Sequence, residues 1–215
     1  MIRVISTSGP AAGFIMATDS RPTRKELSHE RIVDAAARAL SVSGLQGVGV
    51  ADVMKQAGLT HGGFYAHFES RDALLAEAVQ HASTQAAGRM RQRVREGVAR
   101  GVSPLRAVIE AYLSERHVQH PEQGCPIPNL ASDIPRQSEP LRELANQRIQ
   151  QIVRALEEAL PPGEPPEGAL VIAATLVGTV QLARALGPGE RASTLLAETT
   201  RSLLQRYDRA AAAPA

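Results

Sequence analysis

Side chains that could perform acid–base, thiol or metal chemistry together are concentrated between residues 117 and 133. His117, Cys125 and Asp133 are the residue types of a thiol triad, in which a base activates a nucleophilic sulfur. Nothing in the surrounding pattern positions a base or supplies an oxyanion hole, so the sequence does not favour catalysis. His117 and His120, three residues apart on one helix face, could instead join Cys125 as metal ligands. These alternatives stay open at this stage.

Cys125 has two further interpretations that need no partner residue. It lies in a segment broken by five prolines, at positions 121, 126, 128, 135 and 140. A thiol that is accessible in such a segment could sense oxidants or electrophiles. A small side chain buried in a turn would produce the same sequence pattern.

A second group of polar side chains lies between residues 48 and 68. A first helix is predicted to end at Ala57, a tight turn follows at residues 58–60, and a second short helix has Phe64 and Phe68 on its apolar side. Two short helices joined by such a turn are typical of a helix-turn-helix. An ordinary helical hairpin with a polar surface would show the same spacing.

The second short helix of this block begins with small or polar residues. Thr60, His61 and Gly62 would allow the backbone and a hydroxyl to approach a nucleic-acid groove. Tyr65 and His67 would then point away from the two phenylalanine rings. We therefore predict that this helix is the part of the chain that meets DNA.

These groups must be positioned by a helical fold. The chain has 215 residues, enough for one large or two small cores, with 43% hydrophobic and 21% charged residues. Aromatic residues make up only 3% and tryptophan is absent. Because such a core must be built mainly from Ala, Leu, Val and Ile, we predict an all-α fold.

Charge and cysteine content limit the possible partners and compartment. The chain has 24 basic and 22 acidic residues, and Lys25 and Lys55 are its only lysines. A net charge of +2 steers an anion weakly, so nucleic-acid binding would depend on local placement of charge. One cysteine cannot form an intrachain disulfide, and the most apolar run, residues 169–180, is too short to span a membrane. We therefore predict a cytoplasmic protein.

Apolar periodicity predicts a succession of helices. The first begins at an N-cap Ser28 and stops at Gly44, and three more begin near Val50, Thr60 and Ser70. Further helices are predicted at residues 103–117, 127–134, 141–160, 167–186 and 192–207. The arginines at positions 89, 91, 93 and 95 alternate in direction and are predicted to be solvated. We divide the chain into a disordered leader (1–22), a DNA-binding domain (23–75) and a ligand-binding and dimerisation domain (76–215).

The N-terminal part resembles the DNA-binding domain of the TetR/AcrR family of transcriptional regulators. The resemblance lies in residues 57–60, 62–68 and 70–75, and in residues 30–36 of the first helix. It implies that Thr60, His61 and Gly62 enter the major groove and that Tyr65 and His67 contact phosphates. We also assign DNA contacts to Arg71, which stands where the family usually has lysine, and to Lys55. One departure is Gly49, which occupies the usual hydroxyl cap of the second helix and removes that phosphate contact.

The C-terminal part resembles a TetR subgroup that has a Gly-Cys-Pro element in its ligand-binding domain. The residues concerned are 112–117, 121–126, 131–133 and 176–185. The family pairs its last two helices with those of a second subunit, and the small residues between 169 and 185 suit close packing. The predicted effector contacts are Tyr112, His117, Cys125, Asn129 and Gln181.

The predicted function is that of a homodimeric, non-enzymatic transcriptional repressor. Its partners would be double-stranded operator DNA and a small-molecule effector that releases it, with no metal, cofactor or membrane. The alternative is a redox- or electrophile-sensing regulator that acts through Cys125.

Overall fold

The computed structural model describes residues 22–208, and within this range it contains nine α-helices, three short 3-10 helices and no strand. The predicted all-α fold, with an N-terminal helix-turn-helix and a helical C-terminal part, is confirmed. The leader predicted at residues 1–22 falls almost entirely outside the described residues.

The α-helices are α1 Arg24–Ser43, α2 Val50–Gln56, α3 Arg71–Ala99, α4 Pro104–Tyr112, α5 Glu115–Gln119, α6 Ile127–Leu130, α7 Glu139–Glu157, α8 Glu167–Leu186 and α9 Glu190–Tyr207. The 3-10 helices are His61–Ala66, Pro121–Gln123 and Ile134–Arg136. The His61–Ala66 helix follows α2 and completes the helix-turn-helix.

Helix α1 begins five residues earlier than the sequence predicted. The Thr23 hydroxyl accepts from the Glu26 amide at 3.2 Å, and the Thr23 amide donates to the Glu26 carboxylate at 2.6 Å. This reciprocal capping box satisfies two amides that would otherwise lack partners, so Ser28 lies buried inside the helix instead of capping it. The predicted stop at Gly44 is confirmed, because this residue adopts a φ of 69°, a conformation that favours glycine.

The segment predicted as one helix from 103 to 117 is two helices. Helix α4 ends at Tyr112, and the Ser114 hydroxyl accepts from the His117 amide at 3.3 Å to cap α5. A serine that bonds a nearby amide competes with continued helix, so the chain turns here. The next predicted helix, 127–134, is likewise the shorter α6 followed by a 3-10 turn.

Two buried apolar clusters organise the described residues. The first joins α1, α2, the His61–Ala66 helix and the first half of α3, and it includes Leu130 and Leu141 from the C-terminal part. The second is built from α4 through α9. The 29-residue α3 packs against α1, α4 and α7, so one rigid element spans both regions.

Helix α8 is longer than the apolar run noted in the sequence. By length and composition alone it could cross a membrane, and it is the one such helix between residues 22 and 208. It packs against α7 and α9 and supplies Ile172, Leu176 and Val180 to the second cluster. One face of α8 therefore belongs to the core of the helical domain.

Candidate functional site

The helix-turn-helix is held by a small aromatic core. Phe64 and Phe68 are buried with ring centroids 5.7 Å apart, and Met54 of α2 is buried in the same cluster. Gly58 makes the turn between the helices with a φ of 73°, which a side chain would strain. The helix-turn-helix is therefore stabilised by buried apolar residues that lie between its polar residues in the sequence.

The polar residues of the helix-turn-helix lie on its surface. Thr60, His61 and Gly62 are exposed, and Tyr65 is 75% exposed. Thr60 occupies the N-cap position, but within the described structure its hydroxyl makes no capping bond. The reason is that the Gly63 amide already bonds the Thr60 carbonyl at 3.0 Å in the tight 3-10 turn. The hydroxyl remains available to an external group.

His67 is largely packed against its neighbours. Its ring centroid lies 5.9 Å from that of His29 in α1, and its Nδ1 is buried without a hydrogen-bond partner among the described residues. Burial lowers the pKa of His67, and the nearby His29 and Lys25 add to the effect. A neutral imidazole would bring no positive charge to a phosphate.

Arg71 is engaged inside the protein. Its Nη2 donates to the Leu45 carbonyl at 2.6 Å and its Nε to the Val48 carbonyl at 3.2 Å. These bonds fasten the start of α3 to the loop between α1 and α2. Arg71 therefore has a positioning role that the sequence did not predict.

Lys55 is exposed in the last turn of α2 but is not grouped with the other predicted DNA contacts. It lines a shallow groove with Arg38, Ser43 and Glu122, and residues 60–65 do not border that groove.

The C-terminal part contains a partly open cavity of about 460 Å³. Its walls come from α3, α4, α7, α8 and residues 117–125. Three of the five predicted effector contacts, Tyr112, His117 and Cys125, line it. The volume falls within the range of small-molecule sites.

His117 is held by hydrogen bonds at both ring nitrogens. The ring is 1% exposed; Nε2 accepts from the Cys125 amide at 2.9 Å, so Nδ1 carries the hydrogen and donates to the Tyr112 carbonyl at 2.6 Å. Burial lowers the pKa of His117 to about 4, and the Arg184 charge contributes. The histidine is therefore neutral and structural.

This arrangement argues against the thiol triad and the metal site. The only acceptor nitrogen of His117 is used by the backbone of Cys125, so it can neither take a thiol proton nor ligate a metal. Asp133 pairs with Arg136 at 3.1 Å instead. Among residues 22–208, no three His, Cys, Asp or Glu side chains gather as metal ligands.

Cys125 is 2% exposed, which agrees with the interpretation of a small side chain buried in a turn and opposes that of an accessible thiol. The preceding Gly124 explains the burial, because a Cβ there would lie 2.1 Å from His117 Cδ2. Glycine lets the backbone pass close to the Cδ2–Nε2 edge of the imidazole, and the next residue lies in the cavity wall.

Asn129 and Gln181, the other two predicted effector contacts, do not line the cavity. Asn129 joins two regions: its amide Nδ2 donates to the Ser41 carbonyl at the end of α1, and its Oδ1 accepts from Arg184 Nη1 at 2.7 Å. Arg184 in turn donates from Nη2 to the His117 carbonyl at 2.7 Å. Gln181 is half-buried on α8.

Comparisons with known proteins agree with this geometry. Residues 32–78 match the family described as "Bacterial regulatory proteins, tetR family", and residues 101–198 match "Tetracyclin repressor-like, C-terminal domain". The chain is a TetR-family transcriptional regulator. It therefore binds DNA and belongs to a non-enzymatic family.

Individual relatives resemble the regulator along most of its length. The HTH-type transcriptional regulator LmrA of Bacillus subtilis (strain 168) is 29% identical over 138 residues, which is 62% of this chain and 71% of LmrA. A TetR transcriptional regulator from Chloroflexus aurantiacus J-10-FL superposes with a TM-score of 0.68 at 28% identity, covering 85% of this chain and 94% of that one. A TetR-family regulator from Cytophaga hutchinsonii has a TM-score of 0.70 at 17% identity, covers 86% of this chain and 98% of its own, and shows the fold alone.

Sequence reasoning missed part of this regulator's cavity wall. The apolar spacing of the helix predicted at 141–160 includes Ile149 in its buried face, yet Ile149 is 37% exposed and Arg148 is 8% exposed. Arg148 follows Ala145 by three positions and precedes Ile152 by four, so its spacing was a usable signal. Arg89, predicted to be solvated, also lines the cavity and donates from Nε to the Gln123 carbonyl at 2.9 Å.

Proposed function

We propose that this regulator is a cytoplasmic homodimeric repressor that a small-molecule effector releases from its operator. Two helix-turn-helix units would read half-sites about 34–36 Å apart, or a multiple of that distance, on one face of the duplex. An effector that binds best to a conformation with another spacing would lower the affinity for DNA by linkage.

The observation that carries the proposal is the position of the cavity along α3. Residues 80–93 of this helix line the cavity, and its first turn lies in the DNA-binding region, where Arg71 holds the loop after α1. A ligand that shifts the C-terminal half of a continuous helix must also move its N-terminal half. Effector binding would therefore change the position of the DNA-binding region.

A second connection between the regions runs through side chains. The bonds from His117 to Arg184, from Arg184 to Asn129 and from Asn129 to Ser41 link the cavity wall to the end of α1. A movement of the segment that carries His117 would reach α1 without passing through α3. We propose that both connections transmit the effector signal.

The exposed face of α8 supports the proposed dimer. Leu170, Ala174, Gly178 and Leu182 are spaced four residues apart, and both leucines are more than half exposed. A Cβ added at Gly178 would meet no other described atom within 4 Å. A contiguous apolar stripe with small central residues suits close contact with the same stripe of a second copy.

The proposed dimer is tested by placing a charge on this face. Leu182→Glu should shift the protein towards monomer in sedimentation and weaken binding to a two-half-site operator. Val98→Glu is the matched control, because Val98 is an exposed apolar residue on α3. Equal dimerisation by Leu182→Glu and wild type would contradict the proposed interface.

The effector response is tested on the regulator's own promoter. Footprinting on DNA flanking its gene would locate an operator, and a thermal-shift screen would find compounds that raise the melting temperature. At least one stabilising compound should release the wild-type protein from that operator. It should fail to release Val108→Trp, in which a half-buried residue of the cavity wall is enlarged.

Val98→Trp, outside the cavity, should respond as wild type does. Compounds that release the cavity-filled and control variants equally would place the effector site elsewhere. A compound that tightens DNA binding would make the protein a corepressor-dependent regulator.

Thiol sensing through Cys125 is the alternative function, and the burial of this residue opposes it. Cys125→Ser should leave effector-dependent release intact, because the serine keeps the amide that bonds His117. Loss of oxidant-dependent release in this variant, with no other effector found, would favour the alternative.

A further inference from the structure

Three polar side chains at the cavity wall are buried without hydrogen-bond partners for particular atoms. These are Tyr112 at its hydroxyl, Arg148 at Nε and Ser83 at Oγ, and each residue is less than a tenth exposed. A buried polar group without a partner is costly, and such groups in native proteins need a reason. All three residues line the same cavity, so a ligand bound there would supply the missing partners.

Of the three side chains, Arg148 costs the most free energy to bury without a partner, because it is charged. Within residues 22–208 it has no carboxylate within ion-pair distance, and its one hydrogen bond runs from Nη1 to Gln151 at a long 3.4 Å. An isolated buried guanidinium is unfavourable unless an anion or several acceptors compensate it. The partner that would compensate it must come from outside the described residues.

Further arginines lie on the cavity wall. Arg89 and Arg93 line the cavity and form no ion pair among the described residues, while Glu158 is the one carboxylate that lines it. Burial lowers the pKa of Arg89 and the Arg93 charge lowers it further, with only partial opposition from Glu122. Positive charge therefore outweighs negative charge on the cavity wall.

Another part of the wall is apolar. It is formed by Met90, Val108, Leu144, Ile152, Leu156 and Leu176. An occupant that satisfies both parts of the wall has an apolar body and one acidic end.

We propose that the effector is an amphipathic organic anion, whose acidic group is bound by Arg148 and the Tyr112 hydroxyl and whose apolar body lies against α7 and α8. This inference rests on the proposed effector function and names the chemical class of the effector. Arg148 supplies the charge, and Tyr112 donates its hydroxyl hydrogen to the same group. Tyr112 stays protonated for this role, because burial raises its pKa well above the ordinary value and the adjacent Cys125 adds to the effect.

The test compares three probes of one chain length: decanoate, decanamide and decylammonium. Calorimetric titration of the wild-type protein should show decanoate binding at least about tenfold more tightly than decanamide, with decylammonium weakest. In Arg148→Met the preference for decanoate should disappear while decanamide still binds. Tyr112→Phe should weaken decanoate binding without abolishing it.

Stability without ligand separates a binding role from a structural one. Arg148→Met should raise the melting temperature, because it replaces an unpaired buried charge with an apolar side chain of similar length. Arg142→Met is the matched control on the same helix, since Arg142 is exposed and does not line the cavity. It should change neither probe binding nor melting temperature.

Equal binding of the three probes to wild type, binding of none, or an unchanged preference in Arg148→Met would overturn the inference. A fall in the melting temperature of Arg148→Met would also overturn it, because it would show that the arginine stabilises the unliganded fold. These failures would leave the proposed function standing if a neutral or cationic compound still released the protein from its operator. The proposed function itself fails only if no compound acting through the cavity alters DNA binding.

Discussion

The DNA-binding region and the cavity region use polar side chains in opposite environments. Thr60, His61 and Tyr65 are exposed and come from one short stretch of chain. Tyr112, His117 and Arg148 are buried and come from α4, α5 and α7. An exposed polar group hydrogen-bonds to water, so it loses little free energy without a protein partner. A buried polar group has lost that water and needs a partner in the protein or in a ligand. Changes in the first region should therefore mainly affect DNA binding, whereas changes in the second should first affect stability.

Lowering the pH should reduce the free energy of unfolding through the buried His117 of the cavity region. The pKa of His117 is about 4 in the folded protein and about 6.5 when exposed, so between these values the unfolded chain binds the additional proton. Its contribution to the free energy of unfolding is complete above pH 6.5 and is lost as the pH falls through 4, at a cost of up to about 3 kcal/mol. Chemical denaturation between pH 7 and 4 measures this loss.

His117→Gln should be less stable at pH 7 but less sensitive to acid over this range. His61→Ala, which removes an exposed histidine of the DNA-binding region, should keep the wild-type pH dependence. An identical acid response in His117→Gln would show that other groups control it.

Arg71 tests whether the DNA-binding region also depends on a partly buried charge. Arg71→Ala removes two bonds to the Leu45 and Val48 carbonyls and should lower the free energy of unfolding by about 1.5–3 kcal/mol. Lys55→Ala, at an exposed basic residue, should change it by no more than about 0.5 kcal/mol. Thermal melts make the comparison.

The salt dependence of DNA binding then tests the phosphate contact predicted for Arg71. If this residue also contacts phosphate, Arg71→Ala flattens the plot of log affinity against log salt by about one unit. If Arg71→Ala lowers the melting temperature but leaves the slope unchanged, Arg71 positions the loop after α1 and does not contact phosphate.

Alanine substitutions of one glycine in each region compare the effect of an added methyl group at a buried and at an exposed site. Gly124→Ala should destabilise the protein by about 1–3 kcal/mol, because its Cβ would overlap the buried His117 ring. A Cβ at Gly62 meets no described atom within 4 Å, so Gly62→Ala should keep its stability but lose DNA affinity by adding a methyl group at the groove. Denaturation and DNA titration of both variants would show the two effects, and destabilisation by Gly62→Ala would weaken the contrast.

His61 tests whether an exposed side chain of the DNA-binding region reads bases. His61→Ala should relax selectivity at one symmetric position in each half-site by about 1–3 kcal/mol per base pair, because an imidazole can bond a purine edge. Tyr65→Phe should instead weaken binding to all sequences, as expected for a phosphate contact. Selection of random operators provides the measurement, and the same consensus for His61→Ala and wild type would contradict base reading by this residue.

Asn129 lies between the two regions and should have the smallest effect on either. Asn129→Ala removes the link from Arg184 to Ser41, so it should reduce the coupling between effector and DNA by about 0.5–2 kcal/mol. The affinity for DNA without effector should change little. Titrating DNA with and without effector measures the coupling, and Gln137→Ala is a control that removes a local bond to Asp133 alone.

The helix-turn-helix and the all-α class could be predicted from the amino-acid sequence alone. The signals are local: apolar residues repeat with the helical period, Gly58 marks a turn, and Phe64 and Phe68 alternate with the polar residues of one short helix. Such patterns depend on contacts only a few positions apart, so one segment contains them completely. Helix ends were less certain, because the Thr23–Glu26 capping box and the Ser114 cap depend on which of several polar residues captures an amide.

The cavity and the roles of its arginines depend on how the helices pack and could not be predicted from the sequence. Hydropathy alone predicts that Ile149 faces inward. Whether Arg148 or Ile149 does so depends on the rotation of α7 against α3 and α8, and in the structure it is Arg148. Asn129 and Arg184 are 55 residues apart, yet they share a hydrogen bond. The effector region is thus assembled from distant segments, and packing determines which of their polar groups lose water and therefore need a partner.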